Sequence, residues 1–391
     1  MIEKVVEMDE REKEILSKID EKSTVKLLQK LIRTVTTNPP GEEIKLAKWV
    51  ATFLKKSSLE VELLPFDKRR ANVVARIKGS GKKPGLIFSA HFDTVPAGEI
   101  PWKFDPFAGV VHENKVYGRG AADMKGGMAA MLKATQLLSE AEVEFKGDLI
   151  LALTSGETSN CIGAKKLVEG GKINDAGAIL ISEPTGLNVF TAEKGALWIK
   201  AKTFGKTAHG SMPQHGENAI VKMAEFLSKL ENFKFGIASH PLLGSPTLSV
   251  GTIKGGVNIN VIPDSCEAEL DIRLLPEQDP SDVLAQLKRL SKNEVNFEII
   301  DFKKSVETDT TSPFVDICLK SVADVIGKKP EPMGVSYFTD GAIIANRLNI
   351  PMAIIGPADA EMSHQPNECV EIPKLIDAVK IYCLIALRTL R

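Results

Sequence analysis

The chain has 391 residues, 43% of them hydrophobic and 26% charged, with 50 Lys plus Arg against 51 Asp plus Glu and a formal net charge of -1. That length exceeds one ordinary core and predicts two domains, and the composition is globular rather than disordered or fibrous. The balanced charge supplies no basic field for nucleic acid and no polybasic patch for a membrane.

Met1 to Ile19 mixes acids and bases with isolated apolar residues, unlike a signal peptide, and no later stretch is long enough to span a bilayer. Ser23 to Ile32 carries apolar residues at helical spacing and runs into the turn-forming Thr37-Asn38-Pro39-Pro40-Gly41. A second amphipathic helix is predicted over Glu43 to Lys56. Strands follow at Val61 to Leu64, Asn72 to Ile77, Gly85 to Ser89 and Asp148 to Thr154, with a helix from Met124 to Ala141 between two of them. Strands alternating with helices predict an α/β domain with a largely parallel sheet.

From Leu197 to Ile300 the pattern changes. Strands at Leu197 to Thr203, Thr247 to Ile253, Cys266 to Leu274 and Glu294 to Ile300 enclose helices at Asn218 to Leu230 and Pro280 to Leu290. The order βαββαβ is that of a ferredoxin-like module. After Thr308 the chain returns to helix, strand and loop. The expected organisation is one discontinuous α/β domain, 1–195 and 305–391, with a smaller α+β domain inserted at 196–304. The five cysteines (Cys161, Cys266, Cys318, Cys369, Cys383) are scattered and odd in number, which predicts thiols in a reducing, cytoplasmic compartment.

Five polar clusters sit near predicted strand ends. Ser89-Ala90-His91-Phe92-Asp93-Thr94 places His91 and Asp93 on one face of an extended segment. A His there offers a nitrogen to a metal and a carboxylate can fix its tautomer, although a capped strand end has the same look. Asp123 lies where the loop Gly118-Arg119-Gly120 enters a helix, as a ligand or as an N-cap. Glu157, after the apolar run Leu149 to Leu153, is a general-base candidate or a surface loop residue. Glu183, in Ser182-Glu183-Pro184-Thr185, and His364, in Ser363-His364-Gln365-Pro366, complete a mixed N/O set of the kind a hydrolytic metal centre needs.

The strings SAHFDTVP, GRGAADMKGG, SEPT and SHQPNE resemble those of the M20 metallopeptidase/deacylase family, which includes acetylornithine deacetylase, succinyl-diaminopimelate desuccinylase, aminoacylase and glutamate carboxypeptidase. The likeness runs from Asn38 almost to the C-terminus. It implies a zinc-peptidase-like domain, with a mostly parallel sheet sandwiched by helices, and an inserted dimerisation domain that makes the protein a homodimer. It implies two Zn2+ ions (or Co2+ or Mn2+) bridged by Asp123, one also held by His91 and Glu183, the other by His364, with Asp93 orienting His91. The segment Gly205 to Ser211 implies that His209 reaches a substrate carbonyl across the dimer. Gly255 to Pro263 and Asp271-Ile272-Arg273 suggest Asn260 and Arg273 as contacts for a substrate carboxylate, with a surface ion pair the alternative for Arg273. The loop Tyr337 to Ala342 suggests the Gly341 backbone for the same task. The implied activity is metal-dependent removal of an acyl group from an N-acyl amino acid, or cleavage of a short peptide by a dipeptidase or carboxypeptidase.

One departure matters. The family carries two consecutive glutamates after the third strand, the first a base and the second a ligand of the second metal; here Glu157 is followed by Thr158. Ungapped alignment to Gly163-Ala164 puts Glu157 on the base and Thr158 on the missing ligand. An insertion before Gly163 would make Glu157 the ligand instead. A neutral hydroxyl is a poor substitute for a carboxylate, so the second metal is expected to bind weakly or not at all, and a catalytically weakened homologue is the remaining alternative.

Overall fold

Two apolar runs, Gly85–His91 and Leu149–Thr154, are buried along their whole length, as strands covered on both faces must be. In the computed structural model, which describes residues 8–391, they lie side by side and parallel. The residues form two units: one comprises the chain up to Ala192, Glu307–Gly334 and Thr339–Arg391, and the other comprises Glu193–Val306 and Val335–Phe338.

In the first unit the parallel strands run in the order Leu149–Thr154, Gly85–His91, Ala176–Ile181 and Met352–Ile354. Ala71–Ile77 and then Glu60–Pro65 extend the sheet antiparallel at one side, and Phe190–Glu193 joins antiparallel at the other. Helices sandwich this sheet. Lys125–Glu140 and the 19-residue Ile372–Leu390 pack against each other and against Gly85–His91. Ile44–Leu54 packs on Glu60–Pro65 and Ala71–Ile77, and Ile162–Glu169 on Ala71–Ile77 and on Gly341–Leu348. Among the described residues no helix is long and apolar enough to cross a membrane. A helix at Glu10–Ser17 was not expected from the sequence; its single buried apolar residue is Ile15, and its buried Glu12 pairs with Arg388 at 2.8 Å.

The second unit has the βαββαβ order as read. Its antiparallel sheet runs Thr247–Gly255, Ser265–Leu274, Gly195–Phe204, Asn296–Lys303, with helices Ala219–Leu230 and Pro280–Leu290 on one face. The period-two pattern explains why. Cys266, Ala268, Leu270, Ile272 and Leu274 are buried and meet Met223, Phe226, Val283 and Leu287 from the helices, while the intervening residues face outward.

Candidate metal centre

Register brings the polar clusters of the first unit together. His91 is opposite Thr154 and Ser89 is opposite Ile181, so three parallel strands end at one rim. The residues just beyond those ends include Asp93, Glu157 and Glu183, where ligands bind in parallel α/β sheets. The fourth contributor, Asp123, precedes the helix Lys125–Glu140. Gly127 lets that helix start close to the rim, since a Cβ there would lie 2.2 Å from the Ser182 carbonyl.

Asp123 is not the helix N-cap; Met124 occupies that position, and the Asp123–Met124 peptide is cis. The Asp123 carboxylate instead faces two histidines, with Oδ1 3.2 Å from His91 Nε2 and Oδ2 3.1 Å from His364 Nε2. Glu183 Oε1 lies 3.4 Å from the same His91 nitrogen. His91 Nδ1 is 2.9 Å from the Asp93 carbonyl oxygen and 3.6 Å from Asp93 Oδ1. A carbonyl only accepts, so Nδ1 carries a proton; Nε2 faces two carboxylates, donating to them while the imidazole is charged and offering its lone pair to a cation that displaces that proton.

Such a convergence of acceptors in a buried site needs a cation. One ligand atom each from His91, Asp123 and Glu183 lie within 4.8 Å of one another, a donor set that fits a zinc-type ion with a position left open. Protonation follows the crowding. Burial, then the Asp123 carboxylate, pushes Glu183 up to about 7. Burial opposes charge on His91, but Glu183, Asp123 and Asp93 outweigh it and hold the imidazole well above its ordinary range. Asp123, though buried, is held far below the carboxylate range by His364 and His91.

Asp93 is fully buried and enclosed by donors. Its Oδ1 accepts the amides of Gly156 (2.8 Å) and Glu157 (3.0 Å), and its Oδ2 accepts the amide (3.0 Å) and hydroxyl (2.7 Å) of Thr158. Burial works against its charge; His91 and these donors win and keep it ionised. The Glu157 carboxylate sits among like charges: burial first, then Glu183, Asp340 and Asp93, raise it well above the ordinary carboxylate range against the pull of His91.

Several contributors were not singled out in the sequence. Glu368, completely buried, accepts the amides of Ala122 (2.8 Å) and Asp123 (3.0 Å) with one oxygen and pairs with Arg119 at 2.5 Å with the other. Arg119 also donates to the carbonyl of His364 at 3.2 Å, so one ion pair braces both segments that carry Asp123 and His364. Asp340, buried and raised by that burial, accepts the Thr154 hydroxyl at 2.5 Å. Glu368 ends the string SHQPNE and Arg119 lies in GRGAADMKGG, but nothing in those strings shows that the two residues pair.

Of the expected substrate contacts, Gly341 lies in this unit, and its amide donates to Thr339 Oγ1 at 2.9 Å. His209, Asn260 and Arg273 belong to the second unit. His209 Nδ1 accepts from the Ser211 amide at 3.2 Å, which leaves Nε2 as the protonated nitrogen. The Asn260 carbonyl accepts the Gly210 amide at 2.7 Å. Arg273 pairs with Asp271 through Nε at 2.9 Å and NH2 at 2.9 Å, and its guanidinium lies 5.3 Å from the centre of the Phe338 ring.

Residues 87–388 match the sequence profile of Peptidase family M20/M25/M40. The chain belongs to the M20 family. It is similar to the probable succinyl-diaminopimelate desuccinylase of Staphylococcus aureus (strain MRSA252), at 29% identity over 402 residues that cover 94% of this chain and 97% of that protein. Similarity to the acetylornithine deacetylase of Photorhabdus laumondii subsp. laumondii is 30% over 373 residues, or 89% of this chain and 92% of that one. Among solved structures, a M20 family metallo-carboxypeptidase from Sulfolobus solfataricus shares the fold with a TM-score of 0.79 at 21% identity, covering 95% of this chain and 100% of that one. As an M20 protein the chain is a metallohydrolase acting on amide or peptide bonds.

Proposed function

We propose that this M20 protein removes the acyl group from an N-acyl amino acid of the acetylornithine or succinyl-diaminopimelate type, using a metal held by His91, Asp123 and Glu183. The observation that carries the reading is the buried meeting of those three side chains beside the elevated Glu157 carboxylate. The relatives named above supply the substrate class. A zinc-type ion at this site supplies a Lewis acid for the amide carbonyl and lowers the pKa of water toward neutrality.

The chain's own residues do the rest. Glu157 accepts the proton of the attacking water and returns it to the leaving amine; a carboxylate raised above its ordinary range by burial suits both steps. Asp93 holds the His91 tautomer through its carbonyl and anchors the loop that carries Glu157. The family resemblance assigns His209, reaching in from a second copy, to the developing oxyanion; its Nδ1 accepts from the Ser211 amide, so Nε2 is the nitrogen that would donate. By the same resemblance, Asn260 and Arg273 of the insert are candidate contacts for a substrate carboxylate, and the backbone at Gly341 is a separate candidate for that task. His364 and Asp123 hold a second ion more weakly, because the Thr158 hydroxyl is directed to Asp93.

The edge strand Thr247–Gly255 is solvent-exposed on both faces, with Val250 and Ile253 uncovered, which supports pairing of two copies through this insert. The reading places the enzyme in the cytoplasm as a homodimer. Assay of metal-loaded protein on acetylornithine, succinyl-diaminopimelate, other N-acyl amino acids and dipeptides tests it. Turnover of an N-acyl amino acid supports the proposal, and turnover of dipeptides alone replaces it with a dipeptidase.

A further inference from the structure

We propose that Arg70, acting through Asn38, is a positioning residue for the Gly156–Ser159 loop and hence for the Glu157 carboxylate. The inference rests on the reading of Glu157 as proton acceptor, and it concerns groups that lie 32 to 121 residues apart in the chain.

The segment around Thr37-Asn38-Pro39-Pro40-Gly41 runs beside the rim: Thr37 pairs with Thr94, and the Asn38 amide donates to the Thr94 carbonyl at 2.8 Å. This sets the Asn38 side chain, itself buried, next to the Asp93 cradle. Its Nδ2 donates to Thr158 Oγ1 at 2.8 Å and to Ser159 Oγ at 2.7 Å, with Asp93 Oδ2 at 3.5 Å. Its Oδ1 accepts from Arg70 NH2 at 3.1 Å, and the same guanidinium nitrogen donates to Ser159 Oγ at 3.2 Å.

Donor and acceptor types make this chain directional. A guanidinium has no acceptor, so it can face only the oxygen end of the Asn38 amide. The two amide protons are thereby aimed at Thr158 and Ser159. Thr158 Oγ1, accepting from Asn38, has its own proton free for Asp93, which it reaches at 2.7 Å. Removing the guanidinium leaves the amide free to turn over, and a turned amide would present oxygen to the Thr158 and Ser159 hydroxyls.

Arg70 is itself fixed from behind. Glu43, with a fully buried side chain, brings Oε1 to 3.4 Å from Arg70 Nε. Gly41, at φ +74°, makes room for the guanidinium: a Cβ there would lie 2.3 Å from Arg70 NH2. The turn thus leaves space for the Arg70 guanidinium beside it. Glu157 lies between the two loop residues Gly156 and Thr158, whose amides, like its own, are bound to Asp93. An error of about 1 Å in such a loop lowers turnover by up to ~100-fold without abolishing binding.

Metal-loaded Arg70→Gln, Arg70→Lys, Asn38→Leu and the Gln/Leu double variant are compared by hydrogen exchange of the peptide containing Gly156–Ser159 and by kcat and KM. Arg70→Gln and Asn38→Leu are expected to raise loop exchange about tenfold and to lower kcat ~10- to 100-fold. KM, metal content and exchange elsewhere should stay near the parent values. Arg70→Lys should recover part of the loss, and the double variant should be no worse than the poorer single, as members of one network behave. Normal loop exchange and kcat in folded Arg70→Gln, or additive losses in the double, would overturn the proposal. Should Arg70→Gln fail to fold, Ser159→Ala removes the acceptor shared by Asn38 and Arg70, and unchanged loop exchange in it overturns the proposal equally. Near-normal activity of Glu157→Gln would defeat the assignment of Glu157 while leaving the exchange result to decide the relay.

Discussion

Thr158 donates to Asp93 twice, through its amide at 3.0 Å and its hydroxyl at 2.7 Å, both to Oδ2. The side chain that follows the proposed base is thus committed to the buried carboxylate behind His91. On the ungapped alignment it contributes a neutral donor where the family pattern carries an acidic ligand. That one relationship links the loop that carries Glu157, the orientation of His91 and the expected weakness of a second metal site.

Thr158→Val tests it. Valine keeps the shape and removes the hydroxyl, so Asp93 loses a charge-assisted hydrogen bond of about 1.5–3 kcal/mol and Asn38 loses an acceptor. The expected outcome is a lower unfolding midpoint and reduced kcat with the first metal still bound. A variant equal to the parent in both would show that the backbone amides hold Asp93 without the hydroxyl.

Glu157→Gln removes the proton acceptor and keeps the volume. Turnover should fall ~10²- to 10⁴-fold while one equivalent of metal still binds, read by steady-state kinetics and metal analysis. Loss of metal together with activity would assign Glu157 as a ligand instead.

Glu368→Ala frees the amides of Ala122 and Asp123 and leaves Arg119 without its carboxylate. Metal affinity should drop ~10- to 100-fold, as is usual when a group orienting a ligand is lost. Competition with a chelating indicator measures it. Unchanged affinity would mean that the Asp123 loop keeps its geometry without this anchor.

Away from the site, Arg76 joins Asp148 at 2.9 Å and Asp175 at 2.7 Å. The Arg76 hydrogen bond lowers Asp175; Asp148 is lowered by the Gly79 amide, Lys78 and Arg76, which overcome its burial. Depressed carboxylates stabilise the fold above their unfolded pKa of about 3.9 and lose that contribution as pH falls through their folded values. Arg76→Met should therefore lower Tm at pH 7, with the deficit shrinking below about pH 4. A deficit constant from pH 7 to pH 3 would assign the loss to packing of the Arg76 stem.

Much of this was legible in the residues. The period-two alternation of Glu267 to Ile272 and the helical spacing around it yield the βαββαβ insert directly, because one face of that sheet is buried. The fully apolar strands and the polar residues at their ends pointed to a parallel sheet with a polar rim, where Asp123 lies 3.2 Å from His91 and 3.1 Å from His364, and Glu183 lies 3.4 Å from His91. What stayed hidden is non-local. Nothing in the segment around Glu10 shows that Glu12 will be buried by Arg388. Nothing near Asn38 shows that its amide will join Arg70 to Thr158, since uncharged donors carry no pattern of their own. Asp123 could not be separated from a helix N-cap until its carboxylate was seen between two imidazoles.

The protein is proposed to be a metal-dependent amidohydrolase centred on His91, Asp123 and Glu183. Stepwise addition of Zn2+, Co2+ or Mn2+ to metal-free protein, with N-acyl amino acid hydrolysis followed at each step, tests it most directly. Activity should rise with the first equivalent and then level off, with any second ion binding more weakly. Tight metal binding without hydrolysis of any N-acyl amino acid or dipeptide would contradict it.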